Sequence, residues 1–320
     1  MDVLKRGFEA WLFVTVLLIP AMLLTRLLLY FDLLPYVAII FEPIMGLVGL
    51  PPEAALVWVS SFLANTYVGI AIFISLLPVM SGLTLAQATT LTCMILLAHS
   101  LIVEGQICRG TGVSFWRVTV FRLVSALLLG LIVHWTSLAT GWGSGPVQVA
   151  PIISDLAGSA VPPWGEWLLS SLEQIFLILV LVIVLMFGME FIKYIGLTRL
   201  IMKLLGPPLR LAGVGDNALM VTIIGCVVGL GYGGGLIIAE SRASKLSADD
   251  IFSSIMLMAV FHSLFEDTLV MWAMGGSLWW LLGARLIFSL LLIGLITRLA
   301  ARPRLRSMLL GPKLMGMDNQ

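Results

Sequence analysis

The chain has 320 residues, of which 60% are hydrophobic and only 11% charged. Soluble domains carry roughly 25% charged residues, so this composition excludes a soluble globular protein. The formal net charge of +1 gives no basis for a nucleic-acid partner; the information lies in where the charges sit.

Apolar runs long enough for a bilayer core recur along the chain. That core needs roughly 20 residues in a helix, and the runs are continuous rather than alternating, which favours helices over barrel strands. Lys5 and Arg6 precede a run that lasts until about Tyr30. No small-residue cleavage site follows, so this is a retained first transmembrane helix, 9–31, rather than a signal peptide. A short interfacial helix, 36–48, is predicted next. A re-entrant hairpin follows at 53–80, turning near Ala64-Asn65-Thr66-Tyr67-Val68-Gly69, and transmembrane helices are expected at 84–104 and 114–135. Thr136 to Gly165 is rich in Gly, Pro and Ser and reads as an extended loop. The same order then recurs: helix 171–192, short helix 197–209, hairpin 216–241, helices 247–268 and 279–298, and a basic tail. The second hairpin is expected to turn at Gly229-Leu230-Gly231-Tyr232-Gly233-Gly234-Gly235, because five glycines in seven residues make a poor helix interior.

The recurrence is visible residue by residue at an offset of 163. Leu83-Thr84-Leu85-Ala86-Gln87 faces Leu246-Ser247-Ala248-Asp249-Asp250, His99-Ser100-Leu101 faces His262-Ser263-Leu264, Glu104 faces Asp267, Trp116 faces Trp279, and Arg122 faces Arg285. Upstream, Glu53-Ala54-Ala55-Leu56 faces Asp216-Asn217-Ala218-Leu219. Several matches at one offset, including His and Arg in apolar surroundings, indicate a duplicated unit.

Charge then sets orientation. Lys and Arg are enriched on the cytoplasmic side. Lys5 and Arg6 place the N-terminus inside, the loop 136–165 has no Lys or Arg and lies outside, and Arg298, Arg302, Arg304, Arg306 and Lys313 place the C-terminus inside. Lys193, Arg199, Lys203 and Arg210 put the region after the second unit's first helix inside as well. Arg242 and Lys245 stay inside only if 216–241 is re-entrant. Each half therefore crosses an odd number of times and the halves are inverted. The expected fold is an all-α integral membrane protein, an inverted repeat whose halves each hold three transmembrane helices and one re-entrant helical hairpin. Arg26 and Arg285 fall toward the outer side, where snorkelling to headgroups would accommodate them.

Ionisable groups inside a membrane are costly and face a protein interior or a water path. His99 and Glu104 in one half, and His262, Glu266 and Asp267 in the other, are therefore candidates for proton transfer or gating. The turns Asn65, Thr66 and Tyr67, and Gly229, Gly231, Gly233, Gly234 and Gly235, with Asn217 at the mouth of the second hairpin, are candidate substrate-binding positions, since broken helices expose backbone groups at depth. The competing reading of the glycines is close helix packing, and that of the histidines is a structural hydrogen bond. The turns are expected to meet near the bilayer midplane, with His99 and His262 offset from them by roughly 7 Å and Glu104 and Asp267 farther out as entrance charges. Gln87, Thr89, Thr90 and Thr92 line either a polar path or a helix contact. Arg122 and Arg285 are expected to orient helices or pair with an acid. No metal ligand set is assigned, and the three cysteines, Cys93, Cys108 and Cys226, match no zinc spacing and read as packing residues. Nor does the glycine run match a phosphate loop, lacking the following Lys-Ser/Thr.

The stretch from Asp216-Asn217-Ala218 through Gly229 to Glu240 and on to His262 resembles the nucleoside-recognition, or gate, domain family. Such domains occur in spore maturation proteins, the membrane part of the bacterial ferrous-iron transporter and concentrative nucleoside transporters. The resemblance covers both halves and is strong only in the second. It implies a first gate-like repeat at 1–136, an external linker at 137–166, a second repeat at 167–300 in the opposite orientation and a cytoplasmic tail at 301–320. The expected function is a secondary transporter or facilitator for a small polar solute or ion in the bacterial cytoplasmic (inner) membrane. It would be neither an enzyme nor dependent on a cofactor. The alternative is a membrane scaffold or assembly partner without transport activity. A homodimer or a partner membrane protein is an accompanying expectation.

Overall fold

In the computed structural model the chain is all-helical, and the structure describes residues 2–157, 162–194, 197–242 and 246–300, with Arg302, Arg306, Leu309, Leu310 and Leu314 of the tail. Lys245, Arg304 and Lys313, on which the orientation expectation partly rests, lie outside the described residues, as do the side chains of Lys5, Arg6, Lys193, Arg199 and Arg242.

The first unit runs α1 (Asp2–Tyr30), α2 (Leu34–Leu47), α3 (Ala54–Leu63), α4 (Thr66–Leu76), α5 (Leu85–Leu97), α6 (Leu101–Gly110) and α7 (Phe115–Thr140). A short α8 (Pro151–Ala157) follows. The remainder is α9 (Trp164–Tyr194), α10 (Leu197–Leu211), α11 (Asp216–Val228), α12 (Leu230–Arg242), α13 (Ala248–Val260), α14 (Glu266–Ala273), a π-helical turn (Trp279–Ala284) and α15 (Arg285–Ala300). Four stretches are long and apolar enough to cross a bilayer: Leu85–Gly110, Phe115–Thr140, Trp164–Leu181 and Trp279–Ala300. A fifth span is available if the pair Thr15–Tyr30 and Leu34–Leu47, bent by 106°, is taken together. The six straight crossings expected from sequence are thus not all present among the described residues. The expected helix 9–31 qualifies only together with the bent α2, 247–268 breaks into α13 and the eight-residue α14, and 84–104 is likewise split into α5 and α6.

Outward faces carry exposed apolar side chains such as Val16, Val120, Leu138, Phe176 and Leu291, as lipid-facing helices should. At the centre, α5 and α13 are buried almost throughout, packing on α7 and α15 respectively and on each other. Helices buried all round need their ends satisfied from within, and the duplicated sequence at their starts does this. Thr84 Oγ1 accepts from Gln87 N and Gln87 Oε1 accepts from Thr84 N; Ser247 and Asp250 make the same reciprocal pair. Each is a capping box, which satisfies two otherwise orphaned N–H groups. Gln87 is therefore a cap, and its Nε2 also donates to Gly49 O at 2.9 Å. Thr89, Thr90 and Thr92 donate to carbonyls four residues back in their own helix. Thr89 additionally accepts from Ser277 N at 3.1 Å.

The described residues of 136–165 carry more regular structure than a loop reading predicts, with helix at both ends of 136–157. α7 continues to Thr140, and the strand-like stretch after it pairs with the start of α5 through Leu85 N to Gly145 O and Val147 N to Leu83 O, both 3.0 Å. Ala150 N then donates to Ala273 O at 2.8 Å at the end of α14. The linker thus ties the first central helix to the last residues of the second broken one. Low helix propensity of Gly and Pro marked it as irregular, but backbone pairing to the two units fixes it.

Candidate functional site

Both central helices break at the repeated histidine. Ala98 (φ −136°, ψ 78°) and Phe261 (φ −140°, ψ 76°) leave the helix with nearly the same dihedrals. Ser100 and Ser263 then adopt φ 48°, a left-handed conformation uncommon for non-glycine residues and one that clusters at functional sites. Neither sequence holds a Pro or Gly at the break, so helical runs 84–104 and 247–268 were the natural expectation, and the structure corrects both.

Breaking a helix inside a membrane leaves carbonyls that must find donors. The buried arginines 23 residues downstream supply them. Arg122 Nε donates to Leu97 O at 2.8 Å, and Arg285 Nε donates to Val260 O at 3.1 Å. Arg285 Nη2 also donates to His262 O at 3.0 Å and Leu96 O at 3.4 Å. Both side chains are fully buried. Arg285 therefore does not snorkel, and neither does Arg26, which is 2% exposed and donates to Pro162 O. The repeated spacing from His to Arg was the sequence signal for these breaks.

The breaks bring the histidines into contact. His99 Nε2 and His262 Nε2 lie 3.1 Å apart, both rings buried. The Nδ1 atoms face Ile95 O at 2.9 Å and Met258 O at 2.7 Å. A carbonyl only accepts, so each Nδ1 carries a proton, and the two Nε2 atoms face one another and the neighbouring carboxylates. Glu104 Oε1 stands 3.5 Å from His99 Nε2 and 3.2 Å from His262 Nε2, while its Oε2 is ion-paired with Arg122. Asp267 Oδ2 is 3.4 Å from His99 Nε2. The expectation that the histidines sit apart, with Glu104 and Asp267 farther out at an entrance, is thus corrected: His99, His262 and Glu104 converge on one point, and Asp267 adjoins it on the His99 side. The displacement comes from the breaks, which turn the chain after each histidine and fold the acid back toward it. His99, Glu104 and His262 form the group among the described residues whose donor atoms could hold a metal ion.

The hairpin turns surround this centre unequally. Asn65 Oδ1 accepts from Val68 N at 3.0 Å and caps α4; Thr66 is buried beside it. Tyr67 reaches across the units to Glu266 Oε1 at 2.5 Å. Ser61 O, from the end of α3, accepts from Ser100 N at 2.9 Å, and Cys226 O, from α11, accepts from Leu264 N at 3.1 Å. Each hairpin therefore packs on the break of its own unit, and it is the breaks that make the central contact.

In the second hairpin only Gly229 (φ +126°) is a turn residue. The sequence expectation of a seven-residue glycine turn fails because Gly231, Gly233, Gly234 and Gly235 lie within α12. Close approach of helices explains two of them. A Cβ on Gly233 would stand 2.5 Å from Gly225 Cα in α11, and one on Gly234 would stand 2.5 Å from Ile107 Cγ2 in α6. Gly235 is exposed with open space around it, and Asn217 is exposed in the first turn of α11; neither faces the centre. The hairpins also register at 164 rather than 163. Gly69 N donates to Asn65 O and Gly233 N to Gly229 O, and Gly69 packs on Ser61 as Gly233 does on Gly225.

The model of a family described as "Gate: Nucleoside recognition" matches residues 11–112, which include His99, Glu104 and the first hairpin. The match thus falls on the first unit, where the sequence resemblance is weaker to the eye, and not on the glycine-rich second one. The chain is 28% identical over 298 residues to the Bacillus subtilis membrane protein YvoD, described as uncharacterized, covering 90% of this chain and 91% of that one. No solved structure matches the chain.

Proposed function

We propose that the chain is a secondary transporter or facilitator for a small polar solute or ion, working at the junction of the broken helices α5–α6 and α13–α14. The observation that carries this reading is the contact of His99 with His262 at 3.1 Å, with Glu104 bridging them. Two breaks, two buried rings and the Glu104 carboxylate between them are costly in a bilayer, and their convergence at one centre, with Asp267 adjoining His99, gives them a common task. Arg122 Nη2 and Arg285 Nη1 are buried without a partner among the described residues, which suits a site that admits water or a polar guest. Donors already within hydrogen-bonding distance of one another favour an ion over a bulkier solute in this conformation. Glu266, held by Tyr67, lies beside Asp267 as the next carboxylate outward from the rings.

Two units sharing break dihedrals, capping boxes and arginine contacts support a duplicated architecture, and the charge pattern supports its inversion. Such an arrangement places a site between repeats that rock about it. The likeness to a Bacillus subtilis membrane protein supports a bacterial cytoplasmic membrane location, and the charge pattern alone supports both termini inside. Asp155, exposed on α8, tests the orientation: Asp155→Cys in intact cells should react with an impermeant thiol reagent added outside, and protection would reverse the topology. Function is tested in proteoliposomes. Saturable uptake of an ion or small polar solute is expected, and His262→Ala should reduce it by tenfold or more. Uptake that is insensitive to His99→Ala and His262→Ala would overturn the site.

A further inference from the structure

We propose that His99, His262 and Glu104 form a binding site for a divalent transition-metal ion of the zinc class, with the Asp267 carboxylate close beside it. This rests on the reading of the centre as the working site and names the ion it takes. The argument is geometric. The three donor atoms, His99 Nε2, His262 Nε2 and Glu104 Oε1, are separated by 3.1, 3.2 and 3.5 Å. A triangle with these sides has a centre about 1.9 Å from every corner, so an ion lying slightly out of its plane meets all three at the roughly 2.0–2.1 Å typical of zinc to imidazole nitrogen or carboxylate oxygen. A single shared proton would join two of these atoms along a line and leave the third unserved.

The surroundings are those of a ligand set. Each imidazole donates its other nitrogen to a backbone carbonyl, Ile95 O and Met258 O, the arrangement that fixes the tautomer of metal-binding histidines and aims the lone pair. With both Nε2 atoms deprotonated, as metal ligation requires, two lone pairs and a carboxylate oxygen face one point, and a cation there relieves their repulsion. Arg122 occupies Glu104 Oε2 and so orients Oε1 toward the rings, while drawing charge from the carboxylate. Asp267 Oδ2 adjoins the set at 3.4 Å from His99 Nε2 and adds negative charge beside it without completing the triangle. Two nitrogens and carboxylate oxygens suit zinc-like ions better than magnesium or calcium, which prefer all-oxygen shells. Three protein ligands leave a coordination position open, as suits an ion that must also leave.

The test uses the detergent-solubilised full chain. Cobalt(II), a spectroscopic stand-in for zinc, should give the intense visible absorption of a low-coordinate site in a one-to-one ratio, and zinc should abolish it. Glu104→Gln should weaken binding by at least ~10-fold. His262→Cys keeps a ligand and should add a thiolate-to-cobalt charge-transfer band, which also guards against the possibility that a deletion variant simply unfolds. Absence of any cobalt spectrum or zinc binding in the folded wild type at millimolar metal overturns the site. A charge-transfer band already present in the wild type overturns it too, since that would put the metal on the buried Cys93, Cys108 or Cys226. The outcomes separate from those of the transport reading. Metal binding without uptake of any solute upholds this site and fails the transporter; uptake of a polar solute that ignores zinc, with no cobalt spectrum, does the reverse.

Discussion

The two helix breaks have the same backbone and different electrostatics. At Ala98–Ser100 the downstream arginine, Arg122, gives one hydrogen bond to a freed carbonyl and an ion pair to Glu104. At Phe261–Ser263 its counterpart Arg285 gives all its assigned hydrogen bonds to carbonyls, Val260 O, His262 O and Leu96 O, and forms no ion pair with Asp267 among the described residues. The second acid is left toward His99. Two breaks that match in backbone thus differ in what their arginines hold. One half clamps a carboxylate in place, and the other closes the backbone across both units. The difference comes from side chains alone, since the dihedrals match to within a few degrees.

The largest expected effects strike this difference directly. Arg122→Leu strands Glu104 as a buried unpaired charge, a change that typically costs about 3–5 kcal/mol, and Glu104→Gln in the same chain should recover part of the loss. Arg285→Leu removes hydrogen bonds from a charged donor worth about 1.5–3 kcal/mol each, and Asp267→Asn should recover none of it. Thermal unfolding in detergent of the four single and two double variants measures both couplings. Rescue of Arg285→Leu by Asp267→Asn would show the halves to be electrostatically alike and break the comparison.

A smaller effect is expected where the units reach across to each other. Tyr67→Phe leaves the Glu266 oxygen without its 2.5 Å partner, at a cost of about 1–3 kcal/mol. The residue matching Tyr67 in the second unit is Leu230 at an offset of 163 and Gly231 at 164, so no equivalent hydroxyl backs up the loss. An unchanged melting temperature would mean that this bond contributes nothing to the asymmetry.

The glycines of α12 sharpen the comparison of the hairpins at the low end of the scale. Gly233→Ala must push backbone from backbone against Gly225, and overpacking of this kind costs about 1–3 kcal/mol. The neighbouring Gly235→Ala meets nothing within 4 Å and should be neutral or stabilise α12 by up to ~1 kcal/mol. Equal destabilisation by both would return the glycine run to the turn that its composition suggests.

The sequence by itself determined that the chain is a helical membrane protein, and it showed that histidine, acid and arginine recur together at one offset of 163. Those conclusions need only composition, apolar run length and a repeat offset, all of which are local or one-dimensional. The sequence also placed the hairpins, because Asn65 and Gly229 are residues that start or end helices. It did not place the breaks at His99 and His262. Ala98-His99-Ser100 and Phe261-His262-Ser263 carry no helix-breaking residue, and their conformation is held by partners far along the chain, Arg122 and Arg285 for the carbonyls and Ser61 O and Cys226 O for the amides beyond. It likewise mistook the glycines of α12 for a turn, since a glycine required for helix contact and one required for a positive φ look identical until the facing helix is known. Only the tertiary structure could show that two histidines 163 residues apart touch. That contact depends on how the broken helices of both units pack, and no periodicity within either unit encodes it.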